Sequence, residues 1–586
     1  MHKVIGKFKS YLEATHVQLA GARGNWLLAL LGLVSGLLVG ATVISFRLTI
    51  ETVQVAFLPS ADPENYELLS MLERFLLPLG GGLLLGLLFF IVARGQLRVG
   101  VIHVMERLAY HEGHLLLKPA LVQFFAGALA IVSGHSVGRE GPSVHIGAAV
   151  ASIMGQRLGL PNNSIRTLVA CGVAAAIAAS FNTPLAGVIF AMEVVMMEYT
   201  ISGFTPVILA AVSATTINRM TFGSLPTFIP PELSLHTFWE LAVIVVMGVA
   251  IGAIAAGFIV SVKWITTKAQ SIPVILRMSL GGLAVGCCAI IAPQVMGIGY
   301  DTVNQALFGD MLVWTLLLIL LMKLLATAFS IGMGIPAGLI GPTLFMGAMF
   351  GAAVGGFVHI FNVDASHPGL YAMLGMGAMM GACLQAPLAA LLALLELTGN
   401  VDIIFPGMLA IISANLAAKE WFGQDSVYHV QMRSIGLDYH SDPVSQSLRR
   451  RAVGSVMSTS FSFLNPTIPR QLAETILSEE QPEWLIINRD EGKLLMLAAD
   501  LARYLDKLDD DFEQEQGIDL MEIPSKRLEM ASVRQQSTLQ QAFKVLNESA
   551  AEALFVIRPL SSNADRIYGI VTREHIEKSY RVSRAD

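Results

Sequence analysis

Residues 134–147 read Gly-His-Ser-Val-Gly-Arg-Glu-Gly-Pro-Ser-Val-His-Ile-Gly, and long apolar segments lead into and out of this stretch. Proline has no N–H and a φ that already suits a helix, so we expect a helix to begin at Pro142. The free amides of its first turn, together with the positive end of the helix dipole, form an anion site. Glu140 is itself an anion beside that site. It is therefore a candidate gate, whose protonation frees the site for a mobile anion.

Two other interpretations of the stretch remain open. Residues 134–138 match the Gly-x-Ser-x-Gly nucleophile elbow of hydrolases, with Ser136 as the nucleophile. That elbow needs a strand before the serine and an α/β domain around it, whereas the flanking segments here are helix-like. An intramembrane serine hydrolase is therefore the remote alternative. Arg139 and Glu140 also fit a buried structural ion pair.

Composition places most of the chain in a membrane. The 586 residues are 54% hydrophobic and 14% charged, with a mean hydropathy of +0.62, whereas soluble domains carry about 25% charged residues. The net charge of −6 is mild, so we expect no nucleic-acid partner. The four cysteines lie in apolar stretches and read as small core residues, so we expect neither a disulfide framework nor a metal site.

Uncharged stretches define the candidate membrane spans. Residues 1–24 are expected to form a cytoplasmic amphipathic helix, because lysines precede the first span. Residues 24–46 are uncharged and long enough to cross a bilayer. The further uncharged stretches are 199–218, 241–262, 278–300, 324–363 and 365–395. The last two are too long for single helices and contain several glycines and prolines, which favours broken or re-entrant helices that line a cavity.

Two motifs recur at nearly the same spacing. Residues 141–147, Gly-Pro-Ser-Val-His-Ile-Gly, resemble residues 341–347, Gly-Pro-Thr-Leu-Phe-Met-Gly, at an offset of 342 − 142 = 200. Residues 183–187, Thr-Pro-Leu-Ala-Gly, resemble residues 386–390, Ala-Pro-Leu-Ala-Ala, at an offset of 387 − 184 = 203. Two pairs at nearly one offset indicate an internal repeat.

A glutamate follows the proline of the second motif by nine residues in both halves, as Glu193 and Glu396. We place the two halves at about 25–222 and 236–436 of an all-α membrane domain. Paired halves with helices interrupted by glycine and proline are typical of transporters and channels whose site lies at the repeat interface.

The composition changes near residue 437. A basic linker, 437–451, leads to residues 452–586, where charges are frequent and apolar runs are short. Residues 484–487 and 553–557 read as buried strands, and Thr538–Asn547 reads as an amphipathic helix. We expect a soluble α/β domain, on the cytoplasmic side because the segment before it is basic.

The motif at residues 138–142 is the full Gly-Arg-Glu-Gly-Pro motif of the CLC chloride channels and chloride/proton antiporters, which the chain resembles over about 25–435. The resemblance implies the inverted-repeat CLC fold and a homodimer in which each subunit carries its own pore. It also implies that Glu140 is the external gating glutamate. The anion-binding residues that it implies in this motif are Gly138, Arg139 and Gly141.

A second and a third family motif are present in part. The Gly-x-Phe-x-Pro motif appears as Gly-Leu-Ile-Gly-Pro at residues 338–342, and the resemblance implies that the amides of Leu339 and Ile340 face the anion. Ser-Val-Tyr at residues 426–428 resembles the start of the last intramembrane helix. Tyr428 would then be the inner hydroxyl donor.

The family's Gly-Ser-Gly-Ile-Pro motif falls on residues 98–102, where Val99 replaces the central serine beside Gly100. Both residues are candidate anion neighbours, but one hydroxyl ligand is missing. Chloride is the family default, and nitrate, bicarbonate or another small anion remains open.

Proton coupling is the less settled part of the expected function. Family antiporters usually carry an internal proton-accepting glutamate just after position 193, where this chain has Val194, as many family channels do. Glu193 and Glu198 are the remaining candidates for a proton path. We expect transport of chloride or a similar anion that is gated by Glu140 and coupled to protons. A passive anion channel is the alternative.

Residues 452–580 resemble the paired CBS domains that often follow this membrane domain. The nucleotide motif of such domains, Ser or Thr followed three residues later by Asp, reads Thr572 to His575 and Leu497 to Asp500. Each copy lacks one polar anchor, so we expect a dimer platform and no bound nucleotide or other cofactor.

A third interpretation of the whole chain is a sensor that is driven by the tail, with the membrane part as an anchor only. We expect a bacterial inner-membrane protein, with the lipid bilayer and a second copy of itself as partners and both termini in the cytoplasm.

Overall fold

The computed structural model describes residues 25–59, 63–93, 98–199, 201–224, 227–228, 235, 237–309, 311–361, 365–437, 443–489, 492–507, 517–558 and 566–582. The predicted amphipathic helix at 1–24 therefore lies outside the described residues. The described residues divide into two compact units. The membrane unit lies within Leu27–Leu158 and Ile165–His440, and the tail unit lies within Ser441–Asp586, with Gly159–Ser164.

Apolar helices build the membrane unit. In chain order they are α1 Asn25–Phe57, α2 Met71–Ala93, α3 Val101–Tyr110, α4 Leu117–Val132, α5 Glu140–Arg157, α6 Asn162–Phe181, α7 Pro184–Phe190, α8 Ile201–Phe222, α9 Glu240–Ala269, α10 Val274–Ile291, α11 Tyr300–Phe308, α12 Val313–Gly332, α13 Ile340–Phe361, α14 Pro368–Leu384, α15 Pro387–Thr398, α16 Ile404–Leu416 and α17 Val427–Ser434. Within the described residues, seven of them are long and apolar enough to cross a membrane: α1, α2, α6, α9, α10, α12 and α13.

The two long uncharged stretches are broken, as predicted. Residues 324–363 contain the end of α12, a turn and then α13, and Gly334 in that turn has a φ of +84°. Residues 365–395 contain α14 and most of α15, which are separated where Gln385 adopts a left-handed conformation before Pro387. Proline lacks the N–H that a continuous helix needs, and it disfavours helical geometry in the preceding residue.

Reciprocal contacts relate the two halves of the membrane unit. A Cβ at Gly82 of α2 would lie 2.4 Å from the carbonyl oxygen of Met278, and a Cβ at Gly282 of α10 would lie 2.1 Å from that of Pro78. Only glycine lets the two backbones approach this closely. The two glycines differ by 200 positions, and so do the two residues that they contact. Each half therefore presents the same surface to the other, as a two-fold axis requires. These contacts show the same offset as the sequence motifs.

Helix α5 begins at Glu140, two residues earlier than predicted. Arg139 already has helical dihedral angles, and its carbonyl oxygen accepts a hydrogen bond from the Ser143 N–H at 3.1 Å. Pro142 is thus the third residue of the helix. It still lies in the first turn, where an N–H has no acceptor within the helix.

The tail unit combines helices with a mixed sheet. Its elements are α18 Pro443–Arg449, β1 Phe461–Leu464, β2 Thr467–Pro469, α19 Arg470–Thr475, β3 Trp484–Arg489, β4 Gly492–Leu497, α20 Ala498–Leu505, β5 Gly517–Asp519, β6 Leu528–Arg534, α21 Leu539–Glu548, β7 Ala553–Arg558, β8 Arg566–Thr572 and α22 Arg573–Val582. Six strands form one sheet in the order β1-β3-β4-β6-β7-β8, and β2 pairs with β5. The order strand, helix, strand, strand, helix occurs twice, from β2 to α20 and from β6 to α22, and β1 precedes the first copy.

The secondary structure predicted for the tail is confirmed. The strands at 484–487 and 553–557 are β3 and β7, and Thr538 caps α21 in a capping box with Gln541. The predicted basic linker needs a correction, because part of it forms α18. Leu448 in that helix is buried in the hydrophobic core of the second half of the tail.

Candidate anion site

The carboxylate of Glu140 lies on the N-terminus of a different helix, α13. Its Oε1 accepts a hydrogen bond from the Gly341 N–H at 2.9 Å, and the Ile340 amide donates another. Glu140 is fully buried. First-turn amides have no acceptor within their own helix, and the helix dipole is positive at this end. The carboxylate therefore occupies a position that suits a free anion.

Glycines at positions 138 and 338 make room for the carboxylate. The two residues form an antiparallel bridge, in which the Gly138 N–H donates to the Gly338 carbonyl at 2.9 Å and the Gly338 N–H donates back at 2.8 Å. A Cβ would lie 2.2 Å from a Glu140 carboxylate oxygen if placed at Gly138, and 2.5 Å if placed at Gly338. A side chain at either position would displace the carboxylate.

The amides of two predicted anion-binding residues already have acceptors in the protein. The Gly138 N–H is used in the bridge, and the Gly100 N–H donates to Nδ1 of His145 at 3.2 Å. Neither amide is available to an anion in this structure, and whether Gly138 and Gly100 neighbour the bound anion stays a prediction. Val99 is half-buried beside Gly100. Gly141 lies in the first turn of α5, where helix geometry leaves its N–H without an intrahelical acceptor.

Leu339 immediately precedes α13. Its carbonyl oxygen accepts a hydrogen bond from the Thr343 N–H, in the first turn of that helix, at 3.0 Å. Tyr428 lies in the first turn of α17 and is buried. It interacts electrostatically with Glu140, and its hydroxyl has no hydrogen-bond partner among the described residues. The structure thus places a buried donor of the predicted kind within electrostatic range of the gate candidate.

Arg139 and Glu140 have separate partners, which disfavours the interpretation as a structural ion pair. A guanidinium N–H of Arg139 donates to the Ser180 carbonyl at 3.0 Å, while the Glu140 carboxylate is held by amides of α13. The guanidinium also lies over the ring of Tyr300, 6.0 Å from its centroid. The guanidinium thus has a carbonyl and an aromatic ring as neighbours, and its positive charge also acts on Glu140.

The candidate proton residue Glu193 caps a helix of the other half. Its carboxylate accepts from the Ala389 N–H at 2.7 Å and from the Leu388 N–H at 3.3 Å, at the start of α15. Glu396 returns the contact, because its carboxylate accepts from the Ala186 N–H at 2.9 Å and from the Leu185 N–H at 3.0 Å. The two glutamates differ by 203 positions, and so do the residues whose amides they accept from. Both glutamates are thus helix caps in this structure.

The second candidate proton residue, Glu198, is buried and forms an ion pair with Arg166, with 3.9 Å between Oε1 and Nη2. The geometry gives Glu198 a partner of opposite charge. Val194, at the position where the family resemblance implies an internal glutamate, is also buried. A proton path through this region stays a prediction.

Ser136, the nucleophile of the hydrolase alternative, is not paired with a histidine. Its Oγ lies 3.0 Å from the hydroxyl of Thr327, and the neighbouring His135 contacts Ser133 instead, with 3.0 Å between Nδ1 and Oγ. The base that would activate a nucleophilic serine is therefore not at Ser136.

A polar cavity of about 360 Å³ lies beside Arg139, and the sequence motifs did not predict it. We call it the vestibule; residues that line it include Arg47, Glu51, Arg139, Ser180, Asn218 and Tyr300. Arg47 follows Asn25, the first residue of α1, by 22 positions, about 33 Å along the helix axis. Arg47 therefore lies in the half of α1 that is nearer to its C-terminal residue, Phe57.

The repeat offset is the sequence signal that could have identified Tyr300. Gly100 before α3 and Gly299 before α11 both have positive φ, +84° and +81°, and differ by 199 positions. The family motif covers Gly100 and the start of α3, and α11 carries no such motif at Gly299. Tyr300 is the first residue of that counterpart helix.

Glu64, in the connection between α1 and α2, also lines the vestibule. Burial raises the pKa of its carboxyl group to about 7, while the positive charge of Arg139 acts in the opposite direction. A carboxyl group with that pKa changes its charge near neutral pH. It therefore couples the charge of the vestibule to the proton concentration.

The two nucleotide motifs of the tail have local partners. The Thr572 hydroxyl accepts from the His575 N–H at 3.3 Å, and His575 Nδ1 accepts from the Thr572 N–H at 3.4 Å. Asp500 forms an ion pair with Arg503 at 2.8 Å. Thr572 and His575 cap the first turn of α22. Asp500 and Arg503 form an ion pair within α20. Whether they bind a nucleotide stays a prediction.

Apolar helices that are interrupted at glycine and proline, and a buried carboxylate held on the first-turn amides of one of them, are the arrangement of an ion-transport protein. Residues 81–419 match the family model described as voltage gated chloride channel, which is 339 of the 586 residues. The chain therefore belongs to this family, the CLC family of anion channels and transporters. It is a multi-pass membrane protein and not an enzyme.

Proteins named as chloride channels and proteins named as proton/chloride exchangers are both similar to this chain. A ClcB-like chloride channel protein of Ralstonia nicotianae is 36% identical over 363 residues, which cover 61% of this chain and 84% of that protein. The H+/Cl− exchange transporter ClcA of Vibrio cholerae is 30% identical over 322 residues, 52% of this chain and 67% of that protein. The structure of a slow cyanobacterial Cl−/H+ antiporter matches with a TM-score of 0.61 at 22% identity, over 70% of this chain and 98% of that one.

Proposed function

We propose that this protein exchanges a small inorganic anion, chloride or one similar to it, for protons across a membrane, with Glu140 as the gate. One observation carries the proposal: the Glu140 carboxylate accepts hydrogen bonds from the Ile340 and Gly341 amides, where a permeating anion would bind. The gate and the anion are thus competitors for the same donors. The exchange activity in the name of the similar ClcA protein supports the coupling to protons.

Protonation is the step that opens the proposed gate. An ionised carboxylate is a strong acceptor for amide N–H groups, and a neutral carboxyl group is a weaker one. When Glu140 takes up a proton, its hold on the Ile340 and Gly341 amides weakens and an anion replaces it. A dehydrated anion needs several donors at once, because an unpaired charge in a dry site is costly. The buried hydroxyl of Tyr428 is a further donor on the proposed route.

The passive anion channel remains the second candidate. Val194 supports it, because valine cannot carry a proton from the inner side. Reversal potentials under a proton gradient separate the two functions, since the reversal potential of a passive anion channel does not respond to protons. The transported anion is identified by flux measurements with chloride, nitrate, bicarbonate and fluoride in vesicles of purified protein. The absence of a hydroxyl at Val99 is the reason to include anions other than chloride.

We further propose a homodimer with one pore in each subunit, and a tail made of two CBS-like modules that serves as a dimer platform. The repeated strand and helix order of the tail supports the two modules. The side chains of Thr572 and Asp500 already have partners in the protein, which supports a tail without bound nucleotide.

We propose that both termini are cytoplasmic in a bacterial inner membrane, so the vestibule faces outward. Light scattering of the purified protein tests the dimer, and calorimetry with ATP tests the tail.

The test of the gate compares the natural protein with Glu140→Gln in proteoliposomes. In the natural protein, an imposed proton gradient alone should drive anion accumulation, and the anion flux should depend on pH. Glu140→Gln should keep the anion flux and lose both its pH dependence and the proton movement, because glutamine cannot take up a proton. A variant that pumps protons as the natural protein does would show that Glu140 is not the gate.

A further inference from the structure

We propose that the vestibule contains a second anion-binding site, formed by Arg139, Ser180 and Tyr300, which holds a small monovalent inorganic anion while Glu140 still occupies the α13 amides. The inference rests on the proposed transport function and adds a separate position on the route of the anion.

Among the described residues, four buried side-chain groups of the vestibule have unused hydrogen-bonding capacity, three donors and the Oδ1 acceptor of Asn218. Nε of Arg139, Oγ of Ser180 and the hydroxyl oxygen of Tyr300 have no hydrogen-bond partner among the described residues. The three residues are 9%, 2% and 8% exposed, respectively. Buried polar groups are nearly always paired, and unpaired ones cost stability. Three of them along one cavity indicate a ligand that accepts hydrogen bonds.

The three residues are close together and next to the gate. Arg139 donates to the Ser180 carbonyl and lies over the Tyr300 ring. A Cβ placed on Gly341 would lie 3.4 Å from the Tyr300 hydroxyl oxygen and 3.6 Å from Oε2 of Glu140. That carboxylate oxygen also has no hydrogen-bond partner among the described residues. The proposed site therefore adjoins the place that the anion takes when the carboxylate leaves.

The charges around the vestibule favour a monovalent anion. Arg47 is neutralised by Glu51, with 2.5 Å between Nε and Oε1. Arg139 is the remaining guanidinium of the cavity, and its charge is opposed by Glu64 and Glu140. A guanidinium can only donate, so a cation has nothing to gain from it. One partly compensated positive charge and two hydroxyls suit a small anion with a single charge.

The site is tested by bromide anomalous diffraction from crystals of the full chain and by calorimetric titration with bromide. In the natural protein we expect a bromide peak within hydrogen-bonding distance of Tyr300, Ser180 and Arg139. Tyr300→Phe and Ser180→Ala each remove one hydroxyl and leave the rest of the site in place. Each should abolish or weaken the peak and lower the affinity about tenfold, as expected for one hydrogen bond to a charged ligand. Tyr199→Phe, at an exposed tyrosine, is the control and should change neither.

No peak in the vestibule of the natural protein would overturn the site, and so would natural affinity in both hydroxyl variants. If Tyr300→Phe does not fold, Ser180→Ala decides by the same two measurements. The proposed transport function is tested separately, by anion flux in vesicles. A protein that gives the vestibule peak but moves no anion in vesicles retains the site and loses the transport function.

Discussion

The buried carboxylate of Glu140 accepts hydrogen bonds from main-chain amides that lie about 200 positions further along the chain. The local motif was sufficient to identify Glu140 as a gate candidate and to predict an amide site. It was not sufficient to identify the helix that supplies the amides. The sequence favoured the first turn of its own helix, whereas the structure uses Ile340 and Gly341. The acceptor of the Gly138 N–H could not be identified for the same reason, because that acceptor, Gly338, lies in the other half.

Glu64 gives the vestibule its own pH dependence. Burial and Asp301 raise the pKa of its carboxyl group, while Arg139, the Tyr300 amide and Lys323 lower it, and the resulting pKa is about 7. As the pH falls through about 7, Glu64 becomes neutral and Arg139 loses a negative neighbour. Anion binding in the vestibule should therefore tighten by a few-fold between roughly pH 8 and pH 6.

Glu64→Gln should abolish that dependence and hold the affinity at its low-pH value. The measurement is calorimetric titration with bromide at several pH values, made in a Glu140→Gln background so that the gate itself does not titrate. An equal pH dependence with and without Glu64 would contradict its role.

At the scale of helices, the reciprocal caps are the contacts that join α7 and α15. Glu193→Gln and Glu396→Gln each replace a charged acceptor at two first-turn amides by a neutral one. Each should destabilise the protein by about 1 kcal/mol, because a carboxylate at a helix N-terminus is favoured by both hydrogen bonding and the dipole. The apparent midpoint of thermal unfolding in detergent should fall, and the ratio of protons to anions should not change.

Glu420→Gln, at an exposed glutamate of the turn that follows α16, is the control and should leave the midpoint unchanged. A Glu193→Gln protein of natural stability that has lost proton movement would show that Glu193 carries protons rather than capping α15.

The sequence was informative about helices where apolar length and proline decide the outcome. The breaks between α12 and α13 and between α14 and α15 follow from glycine and proline in stretches too long for one helix. The vestibule could not be predicted in this way, because its walls come from separate segments, among them α1, α6 and α11. A single tyrosine or arginine at a helix position carries no signal until its spatial neighbours are known.

At the scale of the whole molecule, every residue assigned here to the gate, the vestibule and the caps lies in the membrane unit. Truncation after His440 should therefore leave the anion flux per molecule unchanged, as measured in proteoliposomes containing equal amounts of folded protein. A folded truncated protein without flux would favour the interpretation in which the tail drives the membrane part.

The composition change near residue 437 predicted the beginning of the tail, and the strands β3 and β7 were evident from their apolar runs. The helix α18 was not predicted, because three consecutive arginines resemble a solvated linker. The helix forms because its apolar residue Leu448 is buried in the hydrophobic core of the tail, and one such residue is enough to anchor a short helix.

The position of the anion is measured most directly by bromide anomalous diffraction from crystals of the natural protein and of Glu140→Ala. We predict a bromide peak at the amides of Ile340 and Gly341 in the variant, and none at those amides in the natural protein, where the carboxylate fills the place. A variant that still moves anions in vesicles but shows no bromide at these amides would contradict the account.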